Sequence, residues 1–315
     1  MFLCVSANPA IDKRVRLESF TTGAVNRAKS VERFAGGKAT HVAMVLQTLG
    51  ETPRWIGPCG GATGADLKAG LAALGIEVEA VTVGPVTRTN LEIIDAEEKV
   101  TELLEPGAAL SDAEIGTLIQ ACDDVFSEGG AGLTAIFSGS LPDAAPVDLF
   151  GRLVILAKKR GCRTMVDTNG EALRSAIAAK PDFVKPNREE ASKILGTAVN
   201  SVKDAFQAIR KLIEMGARGA AISLGSEGML FCEGEGNAVY LSDAIALRAA
   251  STVGCGDSAV AGFAQALSSN RSAEDALRLA TACAAANCIA NSPGAARRED
   301  IDRFLPHVQV KKLSE

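Results

Sequence analysis

A glycine-rich stretch, 251-STVGCGDSAVAG-262, holds a single carboxylate in a setting that could support chemistry. Asp257 directly follows Gly254-Cys255-Gly256 and precedes a run of small apolar residues. Glycine lets a backbone approach a ligand closely, but it is also common in turns, and aspartate often caps a helix. For this stretch alone, helix capping is the better explanation. The rest of the chain must decide between capping and catalysis.

Polar residues follow several apolar, strand-like segments. These residues are Asn8 and Asp12, 138-SGS-140, 167-DTN-169, 185-KPN-187 and 223-SLG-225. In an open parallel sheet, ligands bind beyond the carboxyl ends of the strands. Each group could be an ordinary turn, but together they favour one large site at that edge of a sheet.

The elements that would position these residues alternate between strands and helices. Strand-like segments at 134–139, 163–168 and 219–225 are separated by helical segments. This alternation predicts an α/β fold with a mainly parallel central sheet and helices on both faces. The helix-poor segments 13–34 and 78–107 do not fit that layer, and they predict a small β-sheet lid over it.

The composition is that of an ordinary globular protein. The chain has 315 residues, of which 47% are hydrophobic and 23% charged, and we expect a single domain over 1–315. The net charge of -5 argues against a nucleic-acid partner or an anionic membrane surface. No apolar run approaches the length that spans a bilayer. An anionic ligand must therefore be held by a local cluster of cations.

Cysteine and histidine usage excludes several kinds of site. The eight cysteines form no Cys-x-x-Cys pair, so neither a zinc knuckle nor a thioredoxin-type motif is indicated. The histidines are His41 and His307, which makes a His-rich metal site implausible and a Ser-His-Asp triad unsupported. The absence of a secretory signal leads us to expect reduced thiols in a cytoplasmic protein.

Six motifs, in this order, resemble those of the PfkB/ribokinase family of sugar kinases. They are 8-NPAIDK-13, 36-GGK-38, 138-SGSLP-142, 185-KPNREE-190, 223-SLGSEG-228 and 251-STVGCGDSAVAG-262. The resemblance covers nearly the whole chain and implies a ribokinase-like fold. The stretches 25-VNR-27 and 101-TELLEPG-107 favour the 1-phosphofructokinase and tagatose-6-phosphate kinase branch over ribokinase or adenosine kinase.

The resemblance assigns Asp257 as the catalytic base, which takes the proton of the attacking sugar hydroxyl. Gly254, Cys255 and Gly256 would bring the backbone close to a phosphate, where the N–H groups of the following helix stabilise the transferred γ-phosphoryl group. Phosphoryl transfer needs mainly positioning and charge stabilisation, and this arrangement supplies both. In this context catalysis becomes the better explanation of the stretch.

The resemblance also implies binding sites for the acceptor, ATP and Mg²⁺. The acceptor residues would be Asp12, Arg27, Gly36, Gly37, Lys38, His41, Arg88 and Ser138, with Asp12 holding sugar hydroxyls and Arg27, Lys38 and Arg88 holding the existing phosphate. The nucleotide residues would be Lys185, Asn187, Ser223, Gly225, Gly228 and Asn287. Asn187 and Glu190 would order Mg²⁺ through water. Alternatively, Glu190 simply occupies the first turn of a helix, where acids are favoured.

The chain departs from the family pattern beside the predicted sugar pocket. The usual Gly-Gly-Lys-Gly-x-Asn is here 36-GGKATH-41, with Ala39 for glycine and His41 for the sugar-binding asparagine. His41 either tunes which phosphosugar is preferred or packs at a helix start without touching substrate. Cys255 replaces the usual alanine or serine, which is a small change.

We therefore predict an ATP-dependent kinase that converts fructose 1-phosphate to fructose 1,6-bisphosphate. The alternatives are a tagatose-6-phosphate or 6-phosphofructokinase activity, or a catalytically silent sugar- or nucleotide-binding regulator on the same fold. A Rossmann dehydrogenase is disfavoured because no Gly-x-Gly-x-x-Gly follows the first strand. A lid sheet would expose an apolar face, so we also expect a homodimer through it.

Overall fold

The first strand, Phe2–Val5 (β1), lies inside the main sheet and is buried on both faces. In the computed structural model, which describes residues 1–234, 236, 238–249 and 251–313, Leu3 and Val5 belong to one hydrophobic cluster and Phe2 and Cys4 to another. Successive strand residues point to opposite faces of a sheet. A short run of apolar residues can therefore join two helical layers.

The remaining elements follow in chain order. They begin with β2 (Ala10–Leu17), β3 (Ala28–Gly36), α1 (Lys38–Thr48), β4 (Pro53–Cys59), α2 (Gly61–Ala73), β5 (Glu77–Thr82), β6 (Arg88–Ile94) and β7 (Val100–Leu103). Next come α3 (Asp112–Gly129), β8 (Thr134–Ser138), α4 (Leu149–Lys159), β9 (Arg163–Asp167), α5 (Gly170–Ala178), β10 (Phe183–Val184), α6 (Arg188–Leu195) and α7 (Val202–Glu214). The last are β11 (Ala220–Ser223), β12 (Met229–Cys232), β13 (Val239–Ser242), α8 (Cys255–Ser268), α9 (Ala273–Cys288), α10 (Arg298–Phe304) and β14 (Val310–Leu313).

The main sheet has the order β14-β13-β12-β11-β10-β9-β8-β1-β4-β5 among the described residues. The neighbouring strands β11, β10, β9, β8, β1, β4 and β5 run parallel to one another. Strands β12, β13 and β14 form an antiparallel edge. Helices α3, α4, α5 and α7 cover one face, and α1, α2, α8 and α9 cover the other. This confirms the predicted mainly parallel sheet between helical layers. In the described part of the chain, no helix is long and apolar enough to cross a membrane.

A second, four-stranded sheet has the order β3-β2-β6-β7. Its bounds differ from those expected, because β5 pairs with β4 in the main sheet and the small sheet extends from Ala10 to Gly36 in its first two strands. The unit β4-α2-β5 is a crossover connection, in which helix α2 returns the chain so that β5 runs parallel to β4. Segment 78–82 therefore belongs to the edge of the main sheet, where it is only partly buried.

Helices α8 and α9 pack closely along small residues. A Cβ atom on Gly262 would lie 2.7 Å from the Cα atom of Ala280, so only glycine fits there. The contact brings the first turn of α8 beside the last turn of α9. This pair of helix ends forms one wall of the cavity described next.

Candidate active site

A cavity of about 1070 Å³ lies beyond the carboxyl ends of the parallel strands. Each central strand contributes a polar residue at or just after its end. They are Asn8 from β1, Ser140 from β8, Asp167 from β9, Lys185 from β10 and Ser223 from β11. This is the sheet edge at which the sequence predicted a ligand site.

Helix α8 begins in the wall of the cavity. Gly254 is its N-cap residue, with φ of 81°, a left-handed conformation that favours glycine. No side chain caps this helix. The carboxylate of Asp257 instead contacts His41, with Asp257 Oδ2 2.8 Å from His41 Nδ1. Capping therefore does not explain Asp257, and the first turn of α8 lines the cavity, where a helix N-terminus would suit an anion.

His41 connects two buried carboxylates. Its Nε2 atom lies 3.1 Å from Asp12 Oδ2, while Asn90 donates a hydrogen bond of 3.0 Å to Asp12 Oδ1. Burial acts to lower the pKa of His41, but its hydrogen bonds to Asp12 and Asp257 and their charges raise that pKa to about 10. Burial likewise acts to raise the pKa of Asp12, but His41 and Asn90 hold it below its ordinary value. A protonated His41 thus donates to both carboxylates at neutral pH.

Two lysines lie close to the start of α8. Lys38 Nζ is 3.6 Å from Asp167 Oδ2 and Lys185 Nζ is 3.5 Å from Asp167 Oδ1. A Cβ atom on Gly256 would lie 3.3 Å from Lys185 Nζ, so this ammonium group stands over the first turn of the helix. Burial acts to lower the pKa of Lys38, but the charges of Asp167, Asp257 and Glu190 raise it. Two ammonium groups and a helix N-terminus therefore line the same part of the cavity, an arrangement that would suit an anion.

Glu190 combines a structural contact with a position facing this cluster. It forms a capping box with Asn187, in which the Asn187 N–H donates to Glu190 Oε2 at 2.8 Å and the Glu190 N–H donates to Asn187 Oδ1 at 2.8 Å. Glu190 therefore has the structural role that was the alternative to metal binding, as an acid in the first turn of α6. The other carboxylate oxygen, Oε1, lies 3.8 Å from Lys38 Nζ.

The donor set fits a Mg²⁺ ion held only indirectly by protein. Both carboxylate oxygens of Asp167 are buried without a hydrogen-bond partner, and Glu190 Oε1 faces the same region. Within the residues that the structure describes, no group of three or more His, Cys, Asp or Glu side chains is arranged to hold a metal ion. An ion that keeps much of its hydration and binds phosphate oxygens needs no such cage.

Arg88 and Asn90 project into the cavity from β6. The Arg88 guanidinium donates to the backbone carbonyls of Glu105 at 2.7 Å and Asn8 at 2.9 Å. Arg88 was predicted from the sequence as a site residue, whereas Asn90 was not. Alternate residues of a strand share a face, so the position of Asn90 two residues after Arg88 was the available signal.

A buried ion pair ties the small sheet to the loop before α8. Arg14 Nη2 on β2 lies 2.6 Å from Glu92 Oε2 on β6. Ser251 Oγ donates to Glu92 Oε1 at 3.1 Å, and Arg14 also donates to the carbonyl of Asn291. The strands that carry Asp12 and Asn90 are thereby joined to the segment that carries Asp257.

Most of the residues predicted from the sequence line this cavity, and four do not. Those that line it are Asp12, Gly37, Lys38, His41, Arg88, Lys185, Asn187, Glu190, Ser223, Gly225, Gly228, Gly254, Cys255, Gly256 and Asp257. Lys38 was predicted to hold the acceptor's phosphate, yet its ammonium group lies beside Asp167 and Glu190. Of these two carboxylates, Glu190 was predicted to order Mg²⁺, so Lys38 lies beside the predicted metal position.

The four residues outside the cavity lining are Arg27, Gly36, Ser138 and Asn287. Arg27 is exposed between β2 and β3, and Ser138 is fully buried. Gly36 lies behind Asp12, where any Cβ atom would be 2.2 Å from Asp12 Cγ. The Asn287 amide donates to the carbonyl of Val253 at 2.7 Å and accepts from the backbone of Gly294, so it braces the loop before α8.

Comparisons with known proteins identify the class to which this fold and site belong. The chain matches the pfkB family of carbohydrate kinases over residues 5–299. The 1-phosphofructokinase of Bacillus subtilis is 31% identical over 313 residues, covering 99% of this chain and 100% of that protein. The tagatose-6-phosphate kinase of Staphylococcus epidermidis is 29% identical over 313 residues, covering 98% of this chain and 99% of that protein. The crystal structure of phosphofructokinase-2 from Escherichia coli has a TM-score of 0.90 at 27% identity and covers 98% of both chains.

The chain therefore belongs to the pfkB family of carbohydrate kinases. It is a phosphotransferase with an alcohol group as acceptor, in the branch whose relatives are named as sugar-phosphate kinases. Its acceptor is accordingly a carbohydrate. The family and the ribokinase-like fold predicted from the sequence are both confirmed.

Proposed function

We propose that this kinase transfers the γ-phosphoryl group of ATP to the C6 hydroxyl of fructose 1-phosphate, giving fructose 1,6-bisphosphate. The observation that carries the proposal is the position of Asp257, at the start of α8 and joined through His41 to Asp12 inside one large cavity. Relatives named 1-phosphofructokinase, at 31% and 33% identity, support the choice of acceptor.

The geometry supports the following chemistry. The C6 hydroxyl oxygen attacks the γ-phosphorus, the bond from that phosphorus to the β–γ bridging oxygen breaks, and ADP leaves. Asp257 takes the hydroxyl proton, and because its Oδ2 atom is bonded to His41, Oδ1 is the oxygen that receives it. Lys185 and the N–H groups of α8 stabilise the charge that develops on the transferred group.

Asp12 and Arg88 would bind the acceptor. Asp12 accepts a hydrogen bond of 3.0 Å from Asn90, its paired neighbour on the adjacent strand. These two groups offer both an acceptor and a donor to sugar hydroxyls. Arg88 lines the same part of the cavity and suits a phosphate, whose oxygens match the guanidinium fork. If its hydroxyls bind Asp12 and its phosphate binds Arg88, fructose 1-phosphate would be held with its C6 hydroxyl near Asp257.

Asn187, Glu190 and Asp167 would hold Mg²⁺ through water and the phosphates of ATP. When bound there, the ion would neutralise charge on the phosphoryl oxygens. Lys38 lies between Asp167 and Glu190, so it would orient these carboxylates and balance their charge.

Tagatose 6-phosphate is the second candidate acceptor. A relative with that name is 29% identical over 98% of this chain. His41 stands where the family usually has a sugar-binding asparagine, and a positive imidazolium near the acceptor would favour a different arrangement of hydroxyl and phosphate groups.

The test is a coupled ADP-release assay with Mg-ATP over free and phosphorylated sugars. We expect the highest kcat/KM with fructose 1-phosphate. A higher value with tagatose 6-phosphate or fructose 6-phosphate would contradict the acceptor, and no turnover with any sugar would contradict the kinase mechanism in favour of a silent regulator. The variant His41→Asn, assayed on the same three phosphosugars, shows whether His41 sets the preference: an unchanged ranking would exclude that role.

A further inference from the structure

Two of the eight cysteines differ from the others in exposure and position. Cys4, Cys59, Cys122, Cys162, Cys232 and Cys283 are buried, whereas Cys255 and Cys288 are partly exposed. The Cys255 and Cys288 sulfur atoms lie 2.9 Å apart, and both residues line the cavity. A small oxidant in the cavity could therefore reach this pair of thiols, and the other six are shielded.

The pair joins two structural elements at the proposed site of phosphoryl transfer. Cys255 is the first residue of α8, between Gly254 and Gly256, and Cys288 is the last residue of α9. The Asn287 amide lies 3.4 Å from Cys255 Sγ and holds that side chain in place. Because close packing at Gly262 and Ala280 fixes the two helices, the thiols are held together in the folded protein.

We propose that Cys255 and Cys288 are a modification site, where a peroxide forms a reversible disulfide that switches off the kinase. The disulfide itself depends only on the geometry of the two thiols. The loss of activity rests in addition on the proposed function, in which the start of α8 binds the transferred phosphoryl group.

The oxidation proceeds in two balanced steps. The Cys288 thiolate attacks one oxygen of hydrogen peroxide, forming an S–O bond as the O–O bond breaks, and hydroxide leaves to become water. Cys255 then attacks the Cys288 sulfur, the S–S bond forms, the S–O bond breaks, and a second water leaves with the Cys255 proton. The two thiols lose two electrons in total, and the peroxide gains them. A dithiol reductant reverses the change by thiol–disulfide exchange.

The environment of the pair assigns the order of attack. The hydrogen bond from Cys255 lowers the pKa of the Cys288 thiol. The same contact, followed by burial and the charges of Cys288 and Asp257, raises the pKa of Cys255. Because the thiolate is the nucleophile, these directions favour Cys288 as the thiol that reacts first, and the same disulfide forms in either order.

The disulfide would constrain the start of α8. It would tie Cys255, whose neighbours Gly254 and Gly256 form the proposed phosphoryl site, to Cys288 at the end of α9. Misplacement of a reacting group by about 1 Å can cost about 100-fold in rate. We expect at least a roughly tenfold loss of kcat/KM on oxidation and recovery on reduction.

The experiment uses the full chain treated with hydrogen peroxide, with and without later dithiothreitol. The protein is denatured and alkylated with N-ethylmaleimide, and its intact mass is measured by mass spectrometry. We expect loss of two of the adducts formed by the eight cysteines, and a peptide map that links Cys255 to Cys288. Unchanged alkylation, or a bridge between other cysteines, would overturn the proposal whether or not the proposed acceptor and phosphoryl site are correct.

Activity is measured on the same samples, each normalised to its value before peroxide. Cys288→Ala should retain its activity under peroxide, while Cys283→Ala, a control from the same helix, should lose it as the wild type does. If the wild-type chain forms the bridge and keeps full activity, the disulfide exists but the switch is refuted. If Cys288→Ala does not fold, the wild-type map and its reversal by dithiothreitol still decide the question.

Discussion

Asp257 has a different environment from an ordinary aspartate at a helix start. Its carboxylate is nearly buried and contacts His41, which in turn contacts Asp12. The contact with His41 engages one carboxylate oxygen of Asp257 and fixes the direction of its side chain, as the role of a positioned base requires.

Replacing Asp257 with asparagine tests its role directly. We expect Asp257→Asn to lower kcat by at least about 100-fold, because a general base typically contributes on that order. Nucleotide affinity, measured by calorimetric titration with ATP, should change little since the N–H groups of α8 remain. Asp66→Asn, at an exposed position on α2, is the matched control. Near-normal turnover of a folded Asp257→Asn protein would exclude the base assignment.

The charge of His41 should make stability depend on alkaline pH. Its pKa is raised from an ordinary 6.5 to about 10 in the folded protein, so the folded state binds one more proton between these values. The stabilisation is complete below pH 6.5 and is lost as pH rises through about 10. The loss amounts to at most about 1.4 kcal/mol per pH unit.

Urea unfolding of the wild type and His41→Asn at pH 7, 8, 9 and 10 checks this expectation. The difference in the free energy of unfolding between the two proteins should shrink as pH rises. Subtracting the free energy of unfolding of His41→Asn from that of the wild type removes the contributions of other groups that titrate in this range. Parallel curves would show that His41 is neutral throughout.

Helix α8 depends on the conformation of the residue that precedes it. Gly254 has φ of 81°, and a Cβ atom there would lie 3.0 Å from Pro293 Cβ. Gly254→Ala should therefore cost about 1–2 kcal/mol of stability and also move the N–H groups that are proposed to hold the phosphoryl group, lowering kcat.

Gly196→Ala separates the two effects of that substitution. Gly196 ends α6 with φ of 64°, and no atom lies within 4 Å of its would-be Cβ. It should lose similar stability in thermal unfolding while keeping full kcat. Equal activity of the two variants would contradict the assignment of the α8 start to phosphoryl binding.

Local signals predicted most of the elements. Helices α6 and α7 have clear starts at Asn187 and Ser201, each with a capping box, and apolar strands alternate with them along the chain. The short elements α10 and β14 were not predicted, and β5 was predicted in the small sheet but lies in the main one. An edge strand is half-exposed in either sheet, so its residue pattern does not say which partner it pairs with.

The candidate site was predictable in location but not in its contacts. The polar residues at strand ends and the glycine-rich loop indicated where it lies. The contact between His41 and Asp257 spans 216 positions in the chain, and no spacing rule gives such a distance. Asn287 illustrates the same limit, because the sequence shows an amide but not that its hydrogen bonds are directed at Val253 and Gly294.

The small sheet exposes apolar side chains that lead us to expect an assembly of more than one copy. Half of the large apolar side chains that are exposed among the described residues lie on that sheet or beside it: Phe20, Val25, Val31, Leu103 and Leu104. Val25 is 81% exposed and Val31, on β3, is 49% exposed. A second copy that covers this surface would remove it from water.

We therefore predict a homodimer through the small sheet. Sedimentation velocity at micromolar concentrations should show a dimer for the wild type and a monomer for Val31→Asp, because a buried charge would oppose the contact. Ile155→Asp is the matched control, since Ile155 on α4 is 48% exposed but far along the chain from this sheet. A wild-type monomer, or equal behaviour of the two variants, would count against this interface.

The small sheet also carries residues proposed to bind the sugar, whereas those proposed to bind ATP lie elsewhere. Asp12 and Asn90 are paired neighbours on β2 and β6, and Arg88 lies opposite Ala10 in the same register. The lysine, glycine-loop and Glu190 contacts come instead from the main sheet and its helices. Under the proposed function, substitutions on two adjacent strands can change the sugar that is phosphorylated and leave the handling of ATP intact. Relatives with different acceptors could thus evolve from one another by small steps, each intermediate still being a working kinase.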